Sequence, residues 1–280
     1  MSSGLLDSVI FIVDSSQAIS GAAGSFSYIM NVPKGRNYDR VCVLQAILPK
    51  SYYMVTAPLN IMTLTEPGMP SVTVSMTPGN YNAISWKTLA AAALNAASPH
   101  GWTYSISFPN SSSQVDTGVF TYTVSGNGGS QPTFTFGNAN QTTIYEQWGF
   151  LVNSTNTFVG NSLTSTAVVK FQQEDTILIH SNISYNNDQS AFTDVLQEIY
   201  ASSSLTFSNI IYQNSGAVDA YSKVFNNRDN NVYTFTCTDE HNNIINFNGL
   251  NVVFTILIYR RDDISAVQKR FIEYQVQRQR

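Results

Sequence analysis

The sequence predicts an all-β chain, with two sheets packed face to face as a sandwich or jelly roll. Short apolar or alternating runs rich in Val, Ile, Thr, Tyr and Phe recur along the 280 residues. Clusters of Pro, Gly and Asn separate them, at 33–35, 66–68 and 77–80. Helical periodicity is confined to three segments, so the strand–helix alternation of a parallel α/β sheet is missing.

Residues 8–14, 25–32 and 40–48 read as the first strands. The third stops at Pro49, continues through Lys50, Ser51, Tyr52 and Tyr53, and resumes as a strand over 59–66, with another at 71–76. A helix follows over 84–97, because Trp86, Leu89, Ala90, Ala93, Leu94 and Ala97 fall on one face at helical spacing. Strands are predicted next at 102–108, 118–124 and 133–136. In the second of these, Phe120, Tyr122 and Val124 alternate with Thr121 and Thr123, and the glycine-rich tract 125–130 predicts a hairpin to the third. A phosphate-binding loop fits poorly there, since a strand and not a helix N-terminus follows the glycines.

Strands at 164–171 and 176–182 precede a second helix over 191–202, where Phe192, Val195, Leu196 and Ile199 share a face and Ser190 is the N-cap. Strands at 205–212, 231–238 and 251–259 complete the β set. Residues 252–258 are almost wholly apolar, so one face meets the opposing sheet and the other an inserted helix or another subunit. The last helix spans 262–280, with Ile264, Val267, Phe271 and Tyr274 at seam-like spacing. Asp262 and Asp263 begin it and Lys269, Arg270, Arg278 and Arg280 lie towards its end, an order that suits the helix dipole.

Only 11% of residues are charged, against about 25% in ordinary domains, and Asn, Ser, Thr and Gln take their place. Such a surface fits a chain largely covered by neighbours, and an extracellular β protein has the same composition. A net charge of −4 argues against a general nucleic-acid coat, which needs clustered Lys and Arg. The N-terminus lacks a basic region, its unbroken apolar run is only Val9 to Val13, and no stretch approaches membrane-spanning length; no secretory leader and no membrane span are expected.

Chemistry-bearing patterns are sparse. Cys42 and Cys237 sit in apolar strand runs and read as buried free thiols. His100, His180 and His241 lie in a turn, at a strand end and in a loop, with no metal-ligand spacing between them. Asp239, Glu240 and His241 are adjacent and therefore point in different directions, as in a hairpin loop. No nucleophile elbow occurs, and no glutamate stands in a telling context. No cofactor and no enzymatic activity are expected.

The order of motifs carries more than any one of them. A strand ends in Leu48-Pro49-Lys50-Ser51-Tyr52-Tyr53, and Val72-Thr73-Val74 leads through Pro78-Gly79-Asn80-Tyr81 into an amphipathic helix. A region closing on Trp148-Gly149-Phe150 follows, then Asp194 to Ile199, Asp239 to Leu250 and Phe254 to Ile258. This order resembles the single-jelly-roll minor capsid proteins, often called penton or vertex proteins, of Polinton-like viruses, virophages and related double-stranded DNA viruses. The resemblance covers nearly the whole chain, residues 7–261.

The resemblance implies an all-β fold: a single jelly-roll sandwich over 1–80 and 152–261, with an α+β insertion at 81–151, a few short helices and a helical tail at 262–280. It also implies a structural subunit, favoured as a pentamer, that closes the five-fold vertices of an icosahedral virion beside the major capsid protein. Candidate interface residues are Tyr52 and Tyr53 at the strand exit and Phe271, Tyr274, Arg278 and Arg280 in the tail; nucleic acid is expected, if anywhere, only at the tail. Two other roles stay open. One is a trimeric minor capsid or spike protein. The other is a carbohydrate- or receptor-binding sandwich, with the aromatic loop at 100–102 as its first suspect. Deleting residues 262–280 is predicted to leave the fold intact, by circular dichroism, while impairing incorporation into particles. Unchanged incorporation contradicts that role for the tail.

Overall fold

A computed structural model describes residues 7–108, 117–137, 144–172, 176–184, 194–201, 207–216, 218–226 and 229–261. Their contacts fall into two compact units, one of Met1–Tyr52 with Glu174–Arg280, the other of Tyr53–Gln173. The chain enters the second unit once and returns once.

The first unit opens with β1 (Ser8–Asp14), β2 (Ser20–Ala22), β3 (Ser25–Ile29) and β4 (Arg40–Pro49). The second unit then contributes β5 (Ile61–Thr65), β6 (Val72–Ser75), α1 (Ala83–Ala97), β7 (Thr103–Ser107), β8 (Thr121–Ser125), β9 (Thr133–Phe136), α2 (Tyr145–Trp148), β10 (Ser154–Thr157) and β11 (Ser162–Thr164). Back in the first unit come β12 (Thr176–Ser181), β13 (Val195–Tyr200), β14 (Asn209–Gln213), α3 (Val218–Tyr221), β15 (Lys223–Val224), β16 (Val232–Thr238) and β17 (Val253–Tyr259).

Two sheets make the first unit. One has the order β1-β17-β4-β14, with β15 also on β4; the other runs β13-β12-β16-β3-β2. All pairs within them are antiparallel. Setting aside the short β2 and β15 and numbering the rest one to eight along the chain, the sheets read 1-8-3-6 and 5-4-7-2. That is the strand order of a jelly roll, two Greek keys folded over one core. The core is a single cluster in which Val13, Val41, Val43, Ala46, Phe254 and Ile256 from one sheet meet Phe26, Ile177, Ile179, Phe235 and Cys237 from the other. Phe26 lies against both Phe235 and Phe254, at ring separations of 5.6 and 6.3 Å.

The run through β17 is apolar on both faces, and the structure supplies both coverings. Phe254, Ile256 and Ile258 point into the main core, while Leu257 and Tyr259 join Cys42 in a small outer cluster against Leu44 and Val218 of α3. The Tyr259 hydroxyl donates to the Asp219 carboxylate at 2.6 Å, fixing α3 on the sheet.

The second unit has its own core. Its sheets have the orders β10-β9-β5-β6 and β11-β8-β7. Buried Tyr104, Tyr122, Val124, Phe134, Phe136, Met62 and Leu64 from these strands pack with Trp86, Ala90 and Leu94, one stripe of α1. Asn82 caps that helix, accepting from the Ile84 and Ser85 amides, and the Ser85 hydroxyl answers the Asn82 amide. Leu89 lies off the buried stripe and is exposed. Glu66, fully buried at the end of β5, accepts from the Ser98 hydroxyl (2.6 Å), the His100 amide (2.9 Å) and the Tyr104 hydroxyl (2.9 Å). Three donors compensate the desolvated carboxylate. At Gly149, which ends α2 with φ +75°, an added Cβ would stand 2.6 Å from Ser165, so only glycine fits.

Several expectations are corrected. The second unit, Tyr53–Gln173, is wider than 81–151, because β5 and β6 pair with each other and β5 with β9 inside it. Within the helix expected over 191–202, Val195–Tyr200 are strand β13. The hairpin across 125–130 does not form, since β8 pairs with β7 and β11 while β9 pairs with β5 and β10. Of the strand expected at 164–171 only Thr164 is in a strand, β11; beyond it the backbone bonds irregularly to Gly149, Gly118 and Glu146. The 262–280 tail lies outside the described residues.

Replacing Glu66 by Ala is predicted to destabilise the second unit by about 3 kcal/mol, the scale set by leaving buried donors unpaired. Chemical denaturation followed by tryptophan fluorescence, with Trp86, Trp102 and Trp148 all in this unit, measures it. A loss under about 1 kcal/mol contradicts the account.

Candidate assembly surface

The strand exit at Pro49 is anchored inside the first unit. Pro49 is paired with Asn209 of β14. Beyond it the Lys50 amide donates to the Ser208 carbonyl (2.7 Å), and the Phe207 amide donates back to the Lys50 carbonyl (2.9 Å). The buried Lys50 ammonium donates to the Ala201 carbonyl at 3.0 Å. Ser51 donates through its hydroxyl to the Phe247 carbonyl at 2.6 Å, and the Asn248 side chain donates to the Ser51 carbonyl at 2.5 Å.

Tyr52 is therefore not a surface residue. It is 6% exposed, belongs to the main core and meets Phe247 edge-on at 6.3 Å. Tyr53, the first residue of the second unit, is half-buried. Phe271, Tyr274, Arg278 and Arg280 lie outside the described residues.

The groups best suited to chemistry are occupied structurally. Burial pushes the Cys42 thiol up to about 11 and the Cys237 thiol up to about 12. His180 is buried between Asp194 (Nδ1 to Oδ1, 2.9 Å) and the Thr238 hydroxyl (Nε2 to Oγ1, 2.8 Å). The residue types and order mimic a hydroxyl–imidazole–carboxylate relay. Here Thr238 is 2% exposed, and the chain of bonds ties β12 and β16 to the residue preceding β13. Asp239 folds its own loop, accepting from the His241 and Asn243 amides and the Asn243 side chain. Among the described residues no three His, Cys, Asp or Glu side chains are grouped to hold a metal, and no helix is long and apolar enough to cross a membrane.

What distinguishes one region is the composition of its outward sheet face. In the second unit every strand turns hydroxyls outward: Thr63 and Thr65 on β5, Thr133 and Thr135 on β9, Ser105 and Thr123 on β7 and β8. These bond across strands, as Ser105 to Thr123 at 2.6 Å and Thr135 to Thr155 at 3.2 Å. In the first unit the β3–β16 pair carries hydroxyls too, with Ser25 to Thr236 at 3.0 Å, beside an exposed Ile29. The outward face of β1-β17-β4-β14 is different. Beyond the part covered by α3, it shows Ile10 and Ile12 on β1 and Ile211 on β14, all strongly exposed. A face that keeps isoleucines in water while its neighbours carry hydroxyls is a candidate contact surface. The sequence signal for it was available in the period-two pattern of β1, where Val9, Phe11 and Val13 and Ile10 and Ile12 are both apolar sets.

No family model and no curated protein matches the chain. Among solved structures it is similar to the mavirus penton protein, at 10% identity and a TM-score of 0.45, over 90% of this chain and 99% of that one. It is also aligned with the D1-D2-D3 domains of the flagellar cap protein FliD from Escherichia coli, at 13% identity and a TM-score of 0.17, over 93% of this chain and 59% of that one.

Raised thiol pKa values mean neutral thiols at ordinary pH. Maleimide labelling at pH 8 is predicted to be slow in the native protein and complete at both thiols in guanidinium. Because the folded thiols hold their protons above the unfolded value near 9.0, stability from this source is present below that pH and lost as pH rises towards about 11. Rapid native labelling contradicts the burial.

Proposed function

We propose that this chain is a structural subunit of a viral capsid, a minor (penton) protein that closes the five-fold vertices of an icosahedral shell. The strand order of the first unit is the observation that carries the reading: two antiparallel sheets, 1-8-3-6 and 5-4-7-2, with an inserted unit between the third and fourth main strands. The sequence-level resemblance to single-jelly-roll minor capsid proteins asks for that architecture. Composition agrees with it, since a chain with 11% charged residues suits flanks covered by neighbours.

In this role the protein works by shape. Both thiols and His180 are buried, and Glu66 is tied to three donors inside its unit. The partners are further copies of the chain and the major capsid protein of the same particle, and the place of action is the virion. A cyclic ring joins two different patches of each subunit, so it grows to a closed number and stops.

The mass of the purified protein, by light scattering behind a sizing column, tests the reading. Five copies of the 30.9 kDa chain are predicted. A stable trimer contradicts the vertex role and assigns the chain to a spike or a trimeric minor capsid protein.

A further inference from the structure

We propose that the Asn248-Gly249 turn is a self-modification site, where the asparagine side chain deamidates in the folded protein. Asn followed by Gly occurs twice in the chain, at 127–128 and at 248–249. Glycine matters because its own backbone nitrogen makes the attack, and a Cβ on that residue hinders the approach. The two pairs stand in different surroundings. Asn127 is 6% exposed, and its side-chain amide donates both to the Ser130 carbonyl and to the Asn161 side chain. Asn248 is exposed, and its side-chain amide donates to the Ser51 carbonyl. Asn248 and Gly249 both have left-handed backbone, φ +52° and +83°, in a turn closed by the Leu250 amide on the Phe247 carbonyl at 3.1 Å. Nothing lies within 4 Å of the place a Gly249 Cβ would occupy.

The reaction needs only the turn and water. The Gly249 nitrogen bonds to Asn248 Cγ, the Cγ–Nδ2 bond breaks, and ammonia leaves with the proton that the Gly249 nitrogen gives up. Water then opens the cyclic imide at either carbonyl, leaving aspartate or isoaspartate. To bring the nitrogen to Cγ the turn must first open, at the expense of the Leu250–Phe247 and Asn248–Ser51 bonds, both at an exposed turn. Asn127 must give up two side-chain bonds at a buried position, where their loss costs more. The product at 248 has no Nδ2–H for the Ser51 carbonyl, sets a carboxylate beside that oxygen, and adds one negative charge to a chain of net charge −4. As isoaspartate it also lengthens the main chain by a carbon, so the turn no longer closes on Phe247, whose carbonyl holds the Ser51 hydroxyl. The change is irreversible, and it loosens the strand exit after Pro49 as the folded chain ages.

The test incubates the purified full chain at mildly alkaline pH, then digests samples in acid for peptide mass spectrometry. The proposal predicts that native Asn248 converts to aspartate and isoaspartate at least tenfold faster than native Asn127, and that the two convert at similar rates in guanidinium. Gly249→Ala is predicted to slow native conversion at 248 at least tenfold. Asn248→Gln, which keeps a side-chain amide but must close a larger ring, is predicted to do the same and serves if alanine at this φ prevents folding. Circular dichroism establishes that each variant folds. Asn248→Asp, one of the two products, is predicted to melt below the wild type. Native Asn248 that stays intact while the unfolded chain converts overturns the site, and so do equal native rates at Asn127 and Asn248. Native conversion unchanged in Gly249→Ala overturns the attack by the glycine nitrogen. An Asn248→Asp variant that melts with the wild type overturns the loosening of the strand exit.

Discussion

The first unit depends on one pairing, the insertion of β17 between β1 and β4. Residues 253–259 hydrogen-bond on one side to residues 8–14 and on the other to residues 40–47. Until that happens the first sheet has no centre, the inward Phe254, Ile256 and Ile258 have no core to enter, and Leu257 and Tyr259 have no outer cluster. The contacts are among the most distant in sequence that the chain makes, and their loop-closure cost is met late. Local structure in the second unit, by contrast, needs only residues 53–173. A jelly roll closed by its final strand tolerates an insertion between two strands that are already far apart in the chain, and here the insertion contains seven strands, β5 to β11.

Polar groups inside the two units serve that closure. Lys50, Ser51 and Asn248 hold the strand exit to the carbonyls of Ala201, Phe247 and Ser51 itself. His180 joins β12 to β16 through Thr238. Lys50, Ser51 and His180 are buried groups with partners, and each specifies register more than it adds net stability.

The class of the fold was legible in the sequence, and so were most strand positions, because alternation and turn residues are local. What failed has physical causes. In β13 the register pairs Ile179 with Gln197 and His180 with Val195, so Leu196 is the extra residue of a bulge. That bulge puts Leu196 and Ile199 on the same face three residues apart, which counterfeits a helical period. The hairpin across 125–130 failed because alternation tells which side chains face inward and nothing about which strand is the partner; the faces of Tyr122 and Val124 were right and the pairing was wrong. Nothing local to Tyr52 reveals that Phe247, nearly two hundred residues away, packs against it. The exposed isoleucines of β1 and β14 were the least visible feature, since an exposed isoleucine and a buried one look alike until the strands on either side are known.

A three-dimensional reconstruction of particles assembled from this chain and its major capsid protein tests the central claim most directly. The account predicts five copies of the two-sheet unit around each five-fold axis. Vertices built without this chain, or density for it only at three-fold or two-fold positions, contradict it.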